Sequence, residues 1–122
     1  MIGYTTLGTN NLEKSSTFYD ALLELCGASR IMDMGSFILW GTSMEEPSLA
    51  LTKPYDGKDA TVGNGVMVAI RAKSKEQVDR IHGKALALGG SDEGAPGPRG
   101  EGFYAAYFRD LEGNKLNAFF MG

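Results

Sequence analysis

The sequence predicts an α+β fold in which two βαβββ modules form one curved mixed sheet around a trough, with the helices on its outer face. Three observations predict this fold. Residues 2–27 align without a gap with residues 65–90. Each copy reads as a strand, a polar turn, an amphipathic helix and a glycine, and short apolar segments of strand length follow. Finally, a small sheet with one helix cannot cover both of its faces, so the two modules have to join.

The two copies share residues as well as a pattern. Identical residues occupy three pairs of equivalent positions: Leu23 and Leu86, Leu25 and Leu88, and Gly27 and Gly90. Asn11 and Ser74 are also equivalent, and both residue types cap the first turn of a helix. The chain is therefore interpreted as one domain over residues 1–122, with modules at 1–53 and 65–122 and a polar linker at 54–64.

The first module begins with residues 1–8, which are apolar and rich in threonine and favour a strand. Asn11 caps the helix that follows, and Glu13 interacts favourably with the helix dipole. Three- and four-residue spacing predicts one packing stripe on this helix, made of Ser15, Phe18, Tyr19, Leu22 and Cys26. Gly27 is expected to end the helix. Three strands are then predicted, over residues 29–34, 36–41 and 48–53.

The second module repeats this order. Residues 66–72 favour a strand, and Ser74 caps a helix that stops at Gly89 and Gly90. The predicted packing stripe of this helix is Val78, Ile81, His82, Ala85 and Leu86. Residues 94–102 are rich in glycine and proline, which predicts a mobile loop without regular structure. A hairpin is expected over 103–109 and 115–121, with Asp110 capping its turn and Gly113 and Asn114 supplying the positive φ.

Composition excludes several classes of function. The chain has 122 residues, of which 43% are hydrophobic and 22% charged, as in ordinary globular domains. Its net charge of −3 argues against a nucleic-acid partner, because phosphate binding needs clustered cations. No run approaches the ~20 apolar residues of a membrane span, and no signal-peptide pattern is present. With a single cysteine, Cys26, the expected setting is soluble and cytoplasmic.

Three segments carry a resemblance to a known family. They are LGTNNLEKSSTFYDALL after the first strand, SKEQVDRIHGKALALGG in the second module, and YAAYFRDLEGNKLNAF near the end. Together they resemble the vicinal oxygen chelate superfamily, which includes glyoxalase I, bleomycin-resistance proteins, fosfomycin-resistance enzymes and extradiol dioxygenases. The resemblance covers essentially the whole chain. It implies the two-module fold and a site on the floor of the trough.

Members of that family with metal chemistry hold one divalent ion with two histidines and two glutamates. The resemblance places the equivalents of these ligands at Tyr4, Ala50, Met67 and Asn117. A phenol with a reference pKa near ~10, a methyl group, a thioether and a neutral amide do not replace imidazoles and carboxylates for a hard divalent ion. The sequence therefore predicts no metal and no other cofactor.

The remaining reactive residue types do not form a catalytic arrangement. His82 is the only histidine and lies in a helical stripe, where it is expected to pack between helix and sheet. Cys26 is expected in the last turn of the other helix as a buried core thiol. Since these two residues belong to different helices, no nucleophile and base are paired. The sequence thus favours a protein that is not an enzyme.

Alternation along strands predicts which side chains share the trough with the four equivalents of the metal ligands. It adds Ile2 and Thr6, Ala69 and Arg71, Lys115 and Phe119, Ser48 and Thr52, and Tyr104, Ala106 and Phe108, with Trp40 or Leu39 also facing inward. For Arg71 and Arg99 two interpretations stay open: each holds an anionic group, or both are solvated. The candidate ligand-binding residues are Tyr4, Thr6, Trp40, Ala50, Met67, Arg71, Arg99, Tyr104 and Asn117.

Two functions follow as hypotheses. The first is a metal-free protein that binds an aromatic or antibiotic-like small molecule, as bleomycin-resistance relatives do, and the resemblance implies a homodimer. The alternative is a divalent-metal-dependent lyase, isomerase or transferase of glyoxalase type. There are two further hypotheses. In one, the trough is filled by its own side chains and has a purely structural role. In the other, Tyr4 acts as an acid catalyst.

Overall fold

The computed structural model describes all residues from 1 to 122. Two helices and eight strands follow one another as βαβββ twice, which confirms the α+β class. The elements are β1 (Tyr4–Gly8), α1 (Leu12–Glu24), β2 (Ser29–Asp33), β3 (Phe37–Gly41), β4 (Ser48–Thr52), β5 (Val68–Arg71), α2 (Lys75–Ala87), β6 (Ser91–Pro98), β7 (Phe103–Arg109) and β8 (Lys115–Met121). Neither helix has the length and apolar character that a membrane crossing requires.

The chain divides into two compact units, residues 1–62 and residues 63–122. Each unit holds one helix and one four-stranded mixed sheet. The strand orders are β1-β4-β3-β2 and β5-β8-β7-β6, so the two units have the same topology. In both, the first strand pairs in parallel with the fourth, and the remaining pairs are antiparallel. The internal repeat read from the sequence is therefore a repeat of structure.

In the first unit, α1 begins as expected at Asn11, whose side-chain oxygen accepts a hydrogen bond from the backbone N–H of Lys14. The residues of α1 that are buried are Leu12, Ser15, Ser16, Phe18, Tyr19, Leu22 and Leu23. The helix ends at Glu24, so Cys26 lies in the turn that follows and remains partly exposed. Its placement in the last helical turn was wrong, although burial does raise the pKa of its thiol.

In the second unit, the Ser74 hydroxyl accepts a hydrogen bond from the backbone N–H of Gln77 and so caps α2. Four members of the expected stripe are buried: Val78, Ile81, His82 and Ala85. Leu86, by contrast, is 37% exposed. It lies beyond the edge of the apolar stripe, because the buried positions 78, 81, 82 and 85 already complete one helix face.

The loop predicted over residues 94–102 is largely a strand. β6 pairs antiparallel with β7, and its register shifts twice, between Asp92 and Gly94 and between Gly94 and Gly97. Its two prolines are tolerated because β6 is an edge strand, where one row of backbone N–H groups needs no partner. Glycines at bulges absorb the irregular register. Only residues 99–102 remain as a turn.

The β7–β8 hairpin has the bounds that the sequence predicts. The carboxylate of Asp110 accepts hydrogen bonds from the backbone N–H groups of Glu112 and Asn114 and from the side-chain amide of Asn114. Gly113 supplies the positive φ, at 94°. This turn sets the register of the hairpin and so decides which side chains of β7 and β8 share a face.

Candidate ligand-binding site

Each sheet has one face covered by its own helix and one opposite face, which we call the helix-free face. In the first unit, Tyr4 lies opposite Ser48, and Thr6 lies opposite Ala50. Residues that are directly paired point to the same side of a sheet, so all four share one face. Leu39 pairs with Ala50 on the next strand and joins them. The expectation that Tyr4, Thr6 and Ala50 share a face is thus met within this unit.

An aromatic pair spans that face. The rings of Tyr4 on β1 and Phe37 on β3 meet edge to face, with centroids 5.9 Å apart. Because Tyr4 is level with Ser48 and Phe37 is level with Thr52, their contact crosses β4 at Ala50. Ala50 is fully buried, whereas Tyr4 is 56% exposed. A small residue at this position leaves room for the two rings.

Trp40 lies on the other face, against α1. Its indole N–H donates a hydrogen bond of 2.8 Å to the carboxylate of Asp20, and its ring centroid lies 5.8 Å from that of Tyr19. Only 1% of Trp40 is exposed. The Asp20 carboxylate also accepts two hydrogen bonds from the guanidinium of Arg30. The structure therefore places Trp40 in the helix–sheet core and not beside Tyr4, where the sequence expected it as a ligand-binding residue.

In the second unit, the helix-free face is centred on Asn117. This residue pairs with Ala69 on one side and with Tyr107 on the other. Lys115 and Phe119 lie two residues away on the same strand and share its face. Arg71 pairs with Phe119, and Met67 comes immediately before β5 and is exposed. Sequence alternation placed Ala69, Arg71, Lys115 and Phe119 with Asn117, and the pairing agrees.

Tyr104 lies on the helix-covered face instead. Its hydroxyl donates a hydrogen bond of 2.7 Å to Asp79 on α2, and the pKa of Tyr104 is raised by that bond. Phe108, on the same side of β7, packs edge-on against His82. The expectation for Tyr104, Ala106 and Phe108 was off by one residue, because Tyr107 and not Phe108 pairs with Asn117. The helix-free side chains of β7 are Phe103, Ala105, Tyr107 and Arg109.

Arg99 also reaches the helix-free face of the second unit. Its guanidinium carbon lies 5.6 Å from the centroid of the Tyr107 ring. The guanidinium donates hydrogen bonds to the backbone oxygens of Ala95, Gly97 and Pro98. The sequence indicates Arg99 by its charge alone. Its position is fixed by the bulged strand β6, where the sequence predicts a loop.

Asn117 carries an unusual polar atom. The residue is 2% exposed, and its side-chain oxygen Oδ1 is buried without a hydrogen-bond partner. Most buried polar side-chain atoms in proteins have a partner, because leaving one unpaired is unfavourable by ~1–3 kcal/mol. An unpaired oxygen of this kind is suited to accept a hydrogen bond from a bound molecule.

The donors at the four family ligand positions do not fit a hard divalent ion. Ala50 has no donor atom, Met67 has a thioether, Tyr4 a phenol and Asn117 a neutral amide. No group of three or more histidine, cysteine, aspartate or glutamate side chains is arranged to hold an ion. The one histidine, His82, is 6% exposed, and its Nε2 lies 2.9 Å from Asp92 Oδ1 on β6. It packs between α2 and the sheet, as the sequence predicted.

Comparisons with known proteins agree on one family. The model of the Glyoxalase/Bleomycin resistance protein/Dioxygenase superfamily matches residues 1–118. A solved glyoxalase/bleomycin resistance protein of Albidiferax ferrireducens is 36% identical, with a TM-score of 0.92, over 100% of this chain and 99% of that one. A hypothetical protein of S. aureus is 25% identical, with a TM-score of 0.76, over 98% and 92%. A lactoylglutathione lyase of Agrobacterium tumefaciens is 21% identical, with a TM-score of 0.70, over 98% and 92%. No curated protein matches the chain.

Proposed function

The chain belongs to the Glyoxalase/Bleomycin resistance protein/Dioxygenase superfamily, and on that premise we propose that it binds a small aromatic molecule without the aid of a metal ion. The observation that carries the proposal is the buried, unpaired Oδ1 of Asn117. In family members with metal chemistry this position holds a carboxylate. A neutral amide there removes a metal ligand and leaves a hydrogen-bond acceptor.

The surroundings of Asn117 support binding of an aromatic molecule. The rings of Phe103 and Phe119 are stacked on the helix-free face, with centroids 5.5 Å apart and planes inclined by 18°. Both side chains are partly exposed. Ligand sites in proteins are largely apolar, with a few polar atoms that fix orientation. The stacked rings of Phe103 and Phe119, together with the acceptor oxygen of Asn117, match this description of a ligand site.

The alternative is a divalent-metal-dependent lyase, isomerase or transferase. The name of the Agrobacterium relative, a lactoylglutathione lyase, favours it, but at 21% identity the likeness shows the fold alone. The four donors of this chain disfavour it, since Lewis-acid catalysis needs ligands that hold the ion. Elemental analysis of protein purified without chelators separates the two functions. Stoichiometric nickel, zinc or manganese would support the alternative.

The test of the proposed function is a screen by NMR. Backbone amide spectra of the metal-free protein are recorded with a panel of aromatic compounds that are anionic, neutral or cationic. We expect at least one compound to shift the amide signals of Ala105, Tyr107 and Asn117 in a saturable manner, while Lys84 on the exposed side of α2 stays unchanged. A panel in which no compound shifts these signals would overturn the proposed function.

We propose a homodimer on the basis of the resemblance, and a cytoplasmic setting on the basis of the single cysteine and the sequence pattern. Many exposed large apolar side chains are consistent with a partner surface, among them Met32, Met34 and Met44 on the first unit. Sedimentation equilibrium tests the dimer. A monomer across the accessible concentration range would contradict it.

A further inference from the structure

The geometry points to the charge and polarity of the ligand: an aromatic anion that also carries an O–H or N–H donor, bound on the helix-free face of the second unit. This inference rests on the proposed function, because it specifies the ligand of the same site. It adds that the ligand is negatively charged and not cationic or neutral.

Three cations on this face make no direct ion pair with a carboxylate. Arg71 lies 5.2 Å from the centroid of the Phe119 ring, and Arg99 and Lys115 lie 5.6 Å and 5.7 Å from that of Tyr107. None of the three takes part in an ion pair. Arg99 and Lys115 both lie against the Tyr107 ring, so an anion bound near that ring is attracted by both charges. The face is thus positive although the chain as a whole carries a net charge of −3.

Strand β6 is shaped to accommodate the guanidinium of Arg99. A Cβ atom added to Gly94 would lie 3.2 Å from a guanidinium nitrogen of Arg99 and 3.2 Å from Tyr107, and one added to Gly97 would lie 3.3 Å from the other guanidinium nitrogen. Both glycines therefore leave room for the guanidinium. Its hydrogen bonds go to neutral backbone oxygens, which hold the group in place and do not cancel its charge.

The acceptor atom Asn117 Oδ1 further restricts which functional groups the ligand can carry. An amide oxygen can only accept a hydrogen bond, so a bare carboxylate or phosphate cannot pair with Asn117 Oδ1. The ligand therefore has a hydroxyl or amino group in addition to its anionic group. Lys115, two residues away on the same face, contacts the Tyr107 ring through its ammonium group and makes no ion pair. Because Oδ1 is buried, a neighbouring side chain on this face has to move for the ligand to reach it.

The carboxylate of Glu93, on β6, is already paired. Glu93 pairs with Arg109, and that bond lowers the pKa of Glu93, as does the charge of Lys115 to a smaller extent. Arg109 donates a second hydrogen bond to the backbone oxygen of Gly113. This pair lies at the end of the hairpin, so the Glu93 carboxylate is not available to a cationic ligand.

The experiment measures four probes by titration calorimetry on the full chain: 4-hydroxybenzoate, benzoate, 4-hydroxybenzyl alcohol and tyramine. In that order, the probes carry an anionic group with a hydrogen-bond donor, an anionic group alone, a hydrogen-bond donor without charge, and a cationic group with a hydrogen-bond donor. We expect 4-hydroxybenzoate to bind about tenfold more tightly than benzoate and than the alcohol, the effect of one good hydrogen bond or one ion pair. Tyramine is expected to bind most weakly. Equal or tighter binding of tyramine would overturn the inference while leaving the proposed function intact.

Variants assign the effect to residues. Arg99→Gln and Lys115→Gln should each weaken 4-hydroxybenzoate about tenfold, whereas Lys84→Gln, the matched control on α2, should change nothing. Asn117→Leu should abolish the preference for 4-hydroxybenzoate over benzoate and leave benzoate itself unaffected. The assignment would be contradicted if Asn117→Leu still bound 4-hydroxybenzoate more tightly than benzoate. It would also be contradicted if Lys84→Gln lost as much affinity for 4-hydroxybenzoate as Arg99→Gln. The amide spectrum of each variant verifies that it is folded.

Discussion

Asn117 lies directly opposite Tyr107 in the β7–β8 hairpin, and its side-chain oxygen is buried without a partner. Three residues earlier, at the turn of the same hairpin, Asn114 is also buried, but its side-chain amide donates to Asp110. The two asparagines are alike in chemistry and burial and differ in whether they are paired. Under the proposed function, the unpaired oxygen of Asn117 serves ligand binding, whereas the paired amide of Asn114 stabilises the turn.

The first prediction compares these two residues. Asn117→Leu should raise the free energy of unfolding by about 1 kcal/mol, because an apolar side chain of similar size removes an unpaired buried polar group. Asn114→Leu should lower it by about 1–3 kcal/mol, because it leaves the Asp110 carboxylate short of a donor. Urea denaturation followed by far-ultraviolet circular dichroism measures both. A loss of stability in Asn117→Leu as large as in Asn114→Leu would mean that Asn117 is structural.

The second prediction concerns two glycines at equivalent positions of the repeat. Gly27 has φ of 75° and open space around its Cβ position, whereas a Cβ on Gly90 would lie 2.6 Å from the Arg109 backbone oxygen and 2.9 Å from that of Ala85. Gly27→Ala should lower the free energy of unfolding by about 1 kcal/mol through strain at positive φ. Gly90→Ala should lower it by about 2–3 kcal/mol, because backbone has to move.

Asparagine variants separate these two causes. Asparagine tolerates the left-handed region, so Gly27→Asn should be more stable than Gly27→Ala. At Gly90, the asparagine variant should be no more stable than the alanine variant, because the limit there is the space for a side chain and not the φ angle. Equal behaviour of the two asparagine variants in urea denaturation would show that one cause acts at both glycines.

The third prediction is a pH dependence from Asp20. The hydrogen bonds from Arg30 lower the pKa of Asp20, with further contributions from the indole of Trp40 and the charge of Arg30, against the opposing effect of burial. A lowered folded-state pKa gives stability that is complete above the ordinary carboxyl value of about 4 and is lost as the pH falls through the lowered value. At about pH 6, Asp20→Asn should therefore lower the free energy of unfolding by about 0.5–1 kcal/mol, a modest effect because the Arg30 pair is partly exposed.

Trp40 reports the same titration. As the only tryptophan, it should change its fluorescence emission when its acceptor Asp20 is protonated below about pH 4. The stability difference between the natural protein and Asp20→Asn should shrink over the same range. Asp59→Asn, an exposed carboxylate change outside the helices and strands, serves as the control and should alter neither measurement. An Asp20→Asn effect that grows with falling pH would contradict the assignment.

Much of the fold could be predicted from the sequence, since caps and stripes act locally. Asn11 and Ser74 begin their helices as read, and the hairpin around Asp110 has the predicted bounds. β6 could not be predicted, because residues 91–98 have no apolar alternation. Its strand conformation comes from pairing with β7, a tertiary effect that outweighs the local preference of glycine and proline.

The candidate site was predicted in part. Tyr4, Thr6 and Ala50 share one face, and Arg71 and Asn117 share another, because alternation within a strand is fixed once one position is known. Tyr104 and Trp40 were assigned to the wrong face because the register between strands is set by pairing and turns. Tyr107, with its two cations, was missed for the same reason. The pairing of Tyr107 with Asn117 becomes visible only in the assembled hairpin.

The central claim is that ligand binding in this chain needs no metal ion, and one measurement tests it most directly. The dissociation constant of 4-hydroxybenzoate is determined by titration calorimetry in protein treated with a strong chelator and in protein supplied with nickel, zinc or manganese. We predict the same constant in all preparations. Binding that is lost with the chelator and restored by one of the metals would contradict the claim.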